Sequence, residues 1–210
     1  MLNLDHLTVA ALTLDEGVEH VRRALGVVMP PGGAHPLMGT HNHLMRLGEG
    51  IFLEVIAPDF DVTPRRRRWF ALDDPAMRRS LEGAPRLVTW VVRAADIRLA
   101  LAQVPGAAGE PVGVTRGTLS WQISVPADGS LPTDGAFPTV IEWPKGAHPS
   151  SGMPDFGCRL EGVSVTHPNG TDLASWLAPF LDDHRVVIGH GSEVQIRATI
   201  MTPDGPKELT

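Results

Sequence analysis

Hydrophobic and polar residues alternate along residues 2–11, which is the pattern of a β-strand with two unlike faces. Strict alternation puts His6 on one face with Leu4, and it puts Asp5 on the other face. The sequence therefore opens with a predicted strand that carries a histidine.

Apolar residues recur at intervals of three and four in the next segment, which predicts a helix that ends at Gly26. Residues 30–39 are rich in glycine and proline, and we interpret them as a loop. Two strand-like stretches follow at 41–47 and 51–57, and the short glycine-containing segment between them predicts a hairpin that stops at Pro58. Strand, helix and hairpin form one predicted module.

The same order of predicted elements returns later in the sequence. Residues 87–93 predict a strand with a helix after it, and 118–125 and 138–143 predict the later strands of a second copy. A third, partial copy has a predicted strand at 160–167 and a predicted helix at 172–181. The predicted organisation is a single domain, residues 1–210, with module one at 1–60, a connecting segment at 61–85, module two at 86–146 and a partial third module at 157–210.

Composition excludes several kinds of site. The chain has 210 residues, and its single cysteine, Cys158, excludes an internal disulfide, a four-thiolate zinc site and an iron–sulfur cluster. A metal site built by this chain must therefore use histidine and carboxylate ligands. The absence of tyrosine excludes a phenol as acid, base or nucleophile.

The charge balance narrows the expected partners. Eighteen basic residues against 24 acidic residues give a net charge of −6, which argues against nucleic acid as a partner. No apolar run approaches the roughly 20 residues that span a bilayer, and the first residues lack the basic start and cleavage site of a signal peptide. We therefore expect a cytoplasmic protein with no membrane partner.

Two glutamates, Glu54 and Glu142, lie in otherwise apolar predicted strands at matching places of the first two modules. An ionised carboxylate with apolar neighbours needs a partner, a bound cation or a wet cavity, although alternation also allows either side chain to face outward. If the strands of His6 and Glu54 share one sheet and one face, the two side chains converge. An imidazole with one or two carboxylates suits a divalent metal ion, whereas a lone histidine is commonly a hydrogen-bonded core residue.

Other side chains extend this picture. His41 and His43 share one face of the predicted hairpin strand, and either could supply a third nitrogen. Three tryptophans, Trp90, Trp121 and Trp143, fall in the predicted strands of module two, where they are core residues or flat walls of a ligand pocket.

Two charged features lie outside the predicted strands. The arginine run at 65–68 is either a solvated loop or an anion clamp at the mouth of a pocket. We interpret His148 and the later histidines as surface residues, with His148 as the one that could reach the pocket mouth.

A set of short motifs runs along nearly the whole chain. The motifs are Leu4-Asp5-His6-Leu7, Gly39-Thr40-His41-Asn42, Phe52-Leu53-Glu54-Val55-Ile56-Ala57-Pro58, Arg67-Arg68-Trp69-Phe70, Leu119-Ser120-Trp121, Val140-Ile141-Glu142-Trp143 and His148-Pro149. Together they resemble the glyoxalase-like branch of the vicinal oxygen chelate superfamily.

The resemblance implies an α+β fold of tandem βαβββ modules whose curved mixed sheets enclose a cavity. It also implies metal ligands on the first and last strands of each module, and these positions match His6, Glu54 and Glu142. The second module departs from the pattern, because residues 87–91 contain no histidine where glyoxalase I-like and ring-cleaving members place another ligand. A hairpin histidine or water would complete the coordination sphere, or the site holds no metal.

Two functions compete on this basis. In the first, a divalent metal chelates two adjacent oxygens of a small-molecule substrate in a lyase, isomerase or dioxygenase reaction, with Glu142 as a ligand or as the general base. In the second, a metal-free protein of the same fold binds or sequesters a small molecule between tryptophans. His6 and Glu54 favour the first function, and the missing histidine favours the second. The resemblance also suggests a homodimer.

Overall fold

The computed structural model describes residues 1–104 and 108–210. The strands are β1 (Asn3–Ala10), β2 (Pro31–His35), β3 (Thr40–Gly48), β4 (Ile51–Pro58), β5 (Arg86–Arg93), β6 (Glu110–Arg116), β7 (Leu119–Val125), β8 (Thr139–Glu142), β9 (Arg159–His167), β10 (Val186–His190), β11 (Gln195–Thr202) and β12 (Gly205–Leu209). The α-helices are α1 (Leu14–Leu25), α2 (Pro75–Gly83), α3 (Ile97–Leu101) and α4 (Gly170–Leu177), and short 3₁₀ turns occupy Pro132–Gly135 and Pro149–Gly152. Among these residues, no helix has the length and apolar character needed to cross a membrane.

The first eight strands form one sheet in the order β2-β3-β4-β1-β5-β8-β7-β6. In each half, the opening strand pairs in parallel with the closing strand, and the two remaining strands add antiparallel pairs. The opening strands β1 and β5 pair antiparallel and join the halves. The two edges approach each other where Gly33 of β2 meets the side chain of Arg116 of β6. The fold is thus the predicted one, a curved mixed sheet around a cavity.

Helix α1 has the end signals that its sequence predicts. Thr13 and Glu16 form a reciprocal capping box at its N-terminus. Gly26 takes a left-handed conformation with φ of 77°, and its N–H donates to the carbonyl of Arg22 at 2.9 Å. Gly17 lies where α1 crosses β4, because an added Cβ would come within 2.4 Å of Val55. These features fix the helix on the outer face of the sheet.

The last four strands form a separate sheet in the order β10-β9-β11-β12. Strand β10 pairs with β9 in parallel on one side, and β11 pairs with β9 antiparallel on the other side. In the first two modules, the strand after the helix is β2 or β6. Each lies at a sheet edge instead, separated from the opening strand by two other strands. The third, partial module therefore repeats the order of elements along the chain but not the order of strands in the sheet.

The eight-stranded sheet separates two apolar clusters. Its outer face, which includes Leu7, Leu53 and Val55, packs with helix α1 and with the second sheet. Its inner face packs with Trp69 and Phe70 from the segment between β4 and α2. Burial of both faces explains why β4 is a nearly continuous apolar run rather than an alternating strand.

The predicted loop at 30–39 contains strand β2, so this prediction was wrong. β2 begins with Pro31, Gly32 and Gly33, which give no strand signal. It lies at the edge of the sheet, where proline and glycine do not interrupt a ladder.

Candidate functional site

A narrow cavity lies on the inner face of the eight-stranded sheet. Its polar lining is His6, His35, Asn42, Glu54 and Arg116, and its aromatic lining is Phe52, Trp69, Phe70, Trp121 and Trp143. The cavity volume of about 30 Å³ holds one or two water molecules. An organic ligand must therefore displace wall side chains, and the unbranched side chain of Met153 is one that can adapt.

His6 and Glu54 lie on the same face because β1 and β4 are adjacent parallel strands. Their register pairs His6 with Phe52 and Thr8 with Glu54. The imidazole of His6 stacks on the Phe52 ring with 4.3 Å between centroids and 16° between planes. Nε2 of His6 lies 3.9 Å from Oε2 of Glu54. Both residues are buried, at 4% and 6% exposure.

A β-bulge brings Asp5 to the same side as His6. The ladder between β1 and β5 pairs Leu4 with Val92 and His6 with Val91, so Asp5 is the extra residue of the bulge. The strict alternation expected for residues 2–11 is therefore wrong at this point. As a result, Oδ1 of Asp5 accepts a hydrogen bond from Nδ1 of His6 at 2.7 Å.

The Asp5 carboxylate has three hydrogen-bond donors although it is fully buried. Its Oδ2 accepts from Nε1 of Trp143 at 2.9 Å and from Nε2 of His148 at 2.9 Å. Burial raises the pKa of Asp5, but the hydrogen bonds from His148 and His6 outweigh it and lower the pKa to about 2. Asp5 is therefore an ionised acceptor, which requires His6 to carry its proton on Nδ1 and leaves Nε2 toward Glu54.

Both oxygens of Glu54 also have donors. Oε1 accepts from Nδ2 of Asn42 at 2.6 Å, and Oε2 accepts from the hydroxyl of Thr8 at 3.2 Å. Oδ1 of Asn42 in turn accepts from the backbone N–H of Gly33 at 2.9 Å and from Arg116 at 3.3 Å. Glu54 is thus held in position by three strands, β1, β3 and β4.

Arg116 and His35 complete the polar lining. The guanidinium carbon of Arg116 lies 5.9 Å from the centroid of the Trp121 ring. Burial lowers the pKa of Arg116 below its usual range, while the charge of Glu54 opposes this effect. Burial also lowers the pKa of His35 to about 4, so His35 is neutral at physiological pH, and its ring lies at 75° to the ring of Trp69. The cavity therefore combines an arginine, a carboxylate and an aspartate-paired histidine.

A glyoxalase-like domain model matches residues 4–181 of the sequence. The chain belongs to this family. This match agrees with the resemblance of its motifs to the glyoxalase-like branch of the vicinal oxygen chelate superfamily. No curated protein matches the sequence.

Solved structures resemble the glyoxalase-like chain in fold. A hypothetical protein from Staphylococcus aureus aligns with a TM-score of 0.59 and 15% identity, over 93% of this chain and 88% of that one. A methylmalonyl-CoA epimerase from Mycobacterium tuberculosis aligns with a TM-score of 0.43 and 17% identity, over 67% of this chain and 85% of that one. A Streptomyces coelicolor methylmalonyl-CoA epimerase aligns with a TM-score of 0.45 and 17% identity, over 71% of this chain and 100% of that one.

Glu142 lies apart from the two other predicted ligands, which corrects the predicted set of His6, Glu54 and Glu142. Its neighbour Ile141 lines the cavity, and Glu142 follows on the opposite face of β8. Its Oε2 accepts from the backbone N–H of Ile97 at 2.8 Å, the first residue of α3. Glu142 therefore caps a helix, a placement that supports neither a ligand nor a catalytic base at the His6–Glu54 pair.

The two hairpin histidines also lie outside the cavity. Strand β3 pairs Leu44 with Glu54 and His43 with Val55, so His41 and His43 share the outer face of the sheet. Nδ1 of His43 bonds to the carbonyl of Met29 at 2.7 Å. Neither histidine is placed to supply a third nitrogen.

The three predicted pocket tryptophans lie in two different places. Trp121 and Trp143 line the cavity, and their ring centroids are 5.4 Å apart. Trp90 is fully buried in the outer cluster, where its Nε1 donates to the carbonyl of Ala136 at 3.0 Å. The structure thus gives Trp90 a core position and the other two a wall position.

The arginine run at 65–68 does not line the cavity; the residues that do are the adjacent Trp69 and Phe70. Arg68 pairs with Asp73 at 2.7 Å and donates to the carbonyl of Gly39 at 2.9 Å. Arg65 and Arg67 are exposed. Arg66 is half-buried, and its Nη2 donates to the carbonyl of Pro126 at 3.3 Å. The run is therefore tied to the protein through Arg66 and Arg68, while Arg65 and Arg67 are solvated.

The residues fit only part of the metal site that the resemblance implies. The 3.9 Å between Nε2 of His6 and Oε2 of Glu54 lies within the roughly 4.2 Å that two typical bonds to one metal span. Across residues 1–104 and 108–210, however, no group of three His, Cys, Asp or Glu side chains could hold an ion. Two protein donors are fewer than the three of a typical catalytic metal site, and Arg116 adds a positive charge to the same cavity. The donor set does not fit a typical metal centre.

Several site residues are not predicted by the sequence pattern. Alternation assigns Asp5 to the outer face, and Asn42 and Arg116 carry no predicted role. His148 is expected at the surface or at the pocket mouth, not at the Asp5 carboxylate. A signal exists for Asp5, because an aspartate next to a histidine in an otherwise apolar strand needs a partner. Arg116 lies on β6, a strand that the hydrophobic pattern does not indicate.

Proposed function

We propose that the cavity binds a small organic molecule and that His6 and Glu54 transfer protons to or from it. The observation that carries this proposal is the pair of facing atoms, Nε2 of His6 and Oε2 of Glu54, which are 3.9 Å apart on the cavity wall. The distance is too long for a hydrogen bond between them, so each atom can serve a third group. A general acid and a general base need this accessibility.

Each member of the pair has a fixed orientation. Asp5 accepts the Nδ1 proton of His6, which leaves Nε2 as the atom that takes or gives a proton. Thr8 and Asn42 hold the Glu54 carboxylate, one at each oxygen. A C–H or O–H group of a ligand that contacts both residues can lose its proton to one of them and regain a proton from the other. Isomerases and lyases use this kind of proton transfer.

The charge content of the site favours an enzyme over a simple binding protein. Asp5, Glu54 and Arg116 are buried or half-buried, and burying a charge is unfavourable unless it serves a function or is fully paired. A pocket that only sequesters an apolar ligand gains its affinity from the aromatic walls and needs none of these charges. The metal-free binding function remains the alternative that the test below distinguishes.

A divalent ion is a second candidate for the same pair. The support for it is the 3.9 Å separation, which suits two ligands of one ion, and the Asp5–His6 bond, which resembles the outer support of metal-bound histidines. The ligand or water would then have to provide the remaining donors, and dioxygenase chemistry would belong to this candidate.

Deuterium uptake tests the proposal while the substrate is still unidentified. The protein is incubated in D₂O with a panel of small carbonyl compounds and organic acids, with a chelator present, and mass spectrometry follows exchange of their acidic C–H positions. We expect exchange of at least one compound with the chelator present, and loss of that exchange in His6→Gln and Glu54→Gln. Exchange that needs added Mn²⁺, Ni²⁺ or Zn²⁺ would support the metal candidate instead.

Glu142→Gln is the matched control for Glu54→Gln. It makes the same chemical change at the corresponding strand of the other half, but outside the cavity, and glutamine can still accept the Ile97 N–H. We expect its exchange rate to equal that of the unmodified protein. Binding of a compound without exchange in any condition would favour the sequestering function.

A further inference from the structure

We infer that Arg116 anchors a carboxylate group of the ligand, and that the ligand is a small monocarboxylic acid with an apolar body. This inference rests on the proposed function, because it names the class of molecule that the same cavity holds. The observation behind it is a positive charge in the cavity wall whose donors are largely unused.

The hydrogen bonds of Arg116 do not account for its charge. Four other half-buried arginines lie within 4 Å of a carboxylate oxygen, namely Arg68, Arg93, Arg185 and Arg197. Among the described residues, Arg46 and Arg66 are also half-buried without such a pair, but neither lines the cavity. In the part of the chain that the structure describes, Arg116 forms no such ion pair, and its side chain donates to the neutral amide oxygen of Asn42 at 3.3 Å. A guanidinium has five N–H donors and stays charged in proteins, so most of its donors have no protein acceptor among the described residues and are open to a ligand or to solvent.

Asn42 keeps Glu54 from occupying those donors. Its Nδ2 donates to Oε1 of Glu54 at 2.6 Å, and its Oδ1 accepts from Arg116. The amide therefore stands between the two charges. Glu54 attracts Arg116 through space, which the opposing effect of Glu54 on the pKa of Arg116 reflects, but the two side chains do not form a fork-to-fork pair.

A second donor in the same cavity lacks an acceptor. Trp69 lines the cavity and is 3% exposed, and its Nε1 has no hydrogen-bond partner among the described residues. Buried N–H groups in folded proteins are rarely left without an acceptor. The ring of His35 packs nearly perpendicular to the rings of both Trp69 and Trp121, and Arg116 lies over Trp121. Trp69 and Arg116 therefore belong to one continuous part of the wall.

The orientation of Arg116 is built into the sheet closure. An added Cβ on Gly33 would lie 2.6 Å from Cδ of Arg116, so the absence of a side chain at residue 33 lets the arginine stem cross β2. The guanidinium also lies over the ring of Trp121, 5.9 Å from its centroid. These contacts hold the charged group toward the cavity.

The remaining charges favour a carboxylate over a phosphate. Asp5 is ionised, and Glu54 lies in the same cavity, so a dianion would meet repulsion that a monoanion meets only in part. A single planar guanidinium matches the two oxygens of a carboxylate. The rest of the wall, including Phe52, Ile123 and Ile141, is apolar and suits a hydrocarbon body.

The test compares acids with their neutral amides. Acetate, propionate and benzoate are titrated beside acetamide, propionamide and benzamide, and binding is followed by ligand-observed NMR and by tryptophan fluorescence. We expect at least one acid to bind about 10- to 100-fold more tightly than its amide, the range for a hydrogen bond to a charged group. Equal binding of acids and amides, or no binding of any acid at its solubility limit, would overturn the inference. Inorganic phosphate is the third arm, and phosphate binding tighter than that of every acid would also overturn it.

Two variants locate the preference. Arg116→Met removes the charge and keeps an unbranched stem, and we expect it to abolish the preference for the acid. Gly33→Ala removes no polar group and keeps its backbone N–H, but its new Cβ displaces the arginine stem, so we expect a partial loss of the preference. Thermal unfolding of each variant verifies that it folds. An acid preference that survives in folded Arg116→Met would contradict the inference.

Failure of this inference and failure of the proposed function give different results. Glu54→Gln removes a proton-transfer group but not Arg116, so acid binding should persist in this variant while exchange is lost. Acid binding without exchange in the unmodified protein would leave the anchor standing and remove the proton transfer. If neutral compounds exchange and Arg116→Met exchanges them equally well, the proton transfer stands and the carboxylate anchor is removed.

Discussion

Replacing Asp5 by asparagine should destabilise the fold strongly, because the buried carboxylate serves three donors at once. Lowering the pKa of this carboxyl group from 3.8 to about 2 corresponds to about 2.4 kcal/mol of folding free energy at neutral pH. Asparagine keeps the shape, but its amide nitrogen must face a donor of His6, His148 or Trp143. We therefore expect Asp5→Asn to lose about 2–3 kcal/mol of unfolding free energy at pH 7.

The stability contribution of Asp5 should depend on pH in a definite direction. A carboxyl group with a lowered pKa in the folded state stabilises the fold above its unfolded pKa, and this contribution is lost as pH falls toward the folded pKa. The difference between the unmodified protein and Asp5→Asn should therefore shrink to about 1.3 kcal/mol at pH 3, since Asp5 titrates between about pH 4 and pH 2. Urea unfolding monitored by tryptophan fluorescence at both pH values measures it.

Asp155→Asn is the matched control. The pKa of Asp155 is also lowered to about 2, by the hydrogen bonds from Arg159 and Gly157, but this aspartate is exposed. Solvent screens an exposed pair, so we expect little change in its unfolding free energy. Equal destabilisation by the two substitutions, or a difference for Asp5→Asn that does not shrink at pH 3, would refute the reasoning from the buried network.

Three further predictions concern other parts of the fold. Burial lowers the pKa of His35 to about 4, so the protein should become less stable as pH falls from 6.5 toward 4. His35→Asn should lose less stability over this window. Histidine NMR titration should show His35 neutral above about pH 4. Glu142→Ala should lower the unfolding free energy by about 1 kcal/mol by removing the acceptor for Ile97, without changing ligand binding, which calorimetry and titration check. Gly17→Ala should destabilise by about 1–3 kcal/mol because its Cβ would meet Val55 at 2.4 Å. Gly83→Ala, with nothing within 4 Å, should leave stability unchanged or raise it by up to about 1 kcal/mol, and thermal unfolding compares the two.

The module pattern and the central pair could be predicted because both depend on strand periodicity. His6 and Glu54 lie on the opening and closing strands of one module, and parallel pairing of those strands puts them on one face. The motif resemblance supplied the same two positions independently. Neither inference needed the precise register of the sheet.

The rest of the site depends on register and closure, which a pattern does not contain. The bulge at Asp5 reverses its face. Which face of β3 turns inward depends on the pairing of Leu44 with Glu54, so His41 and His43 had the correct common face but the wrong side of the sheet. Arg116 reaches the cavity only because the two edges of the sheet meet at Gly33. The partner of Glu142 is equally unpredictable from a pattern, because its carboxylate accepts from Ile97 at a helix end that is distant in sequence.

Metal content is the measurement that tests most directly whether His6 and Glu54 act as proton-transfer groups rather than as metal ligands. Untagged protein, purified without chelator and then incubated with Mn²⁺, Ni²⁺ or Zn²⁺ and desalted, is analysed by plasma mass spectrometry beside His6→Ala and Glu54→Ala. We predict well below one equivalent of any of these metals, with no difference between the three proteins. Close to one equivalent in the unmodified protein, abolished by both substitutions, would contradict the proton-transfer role.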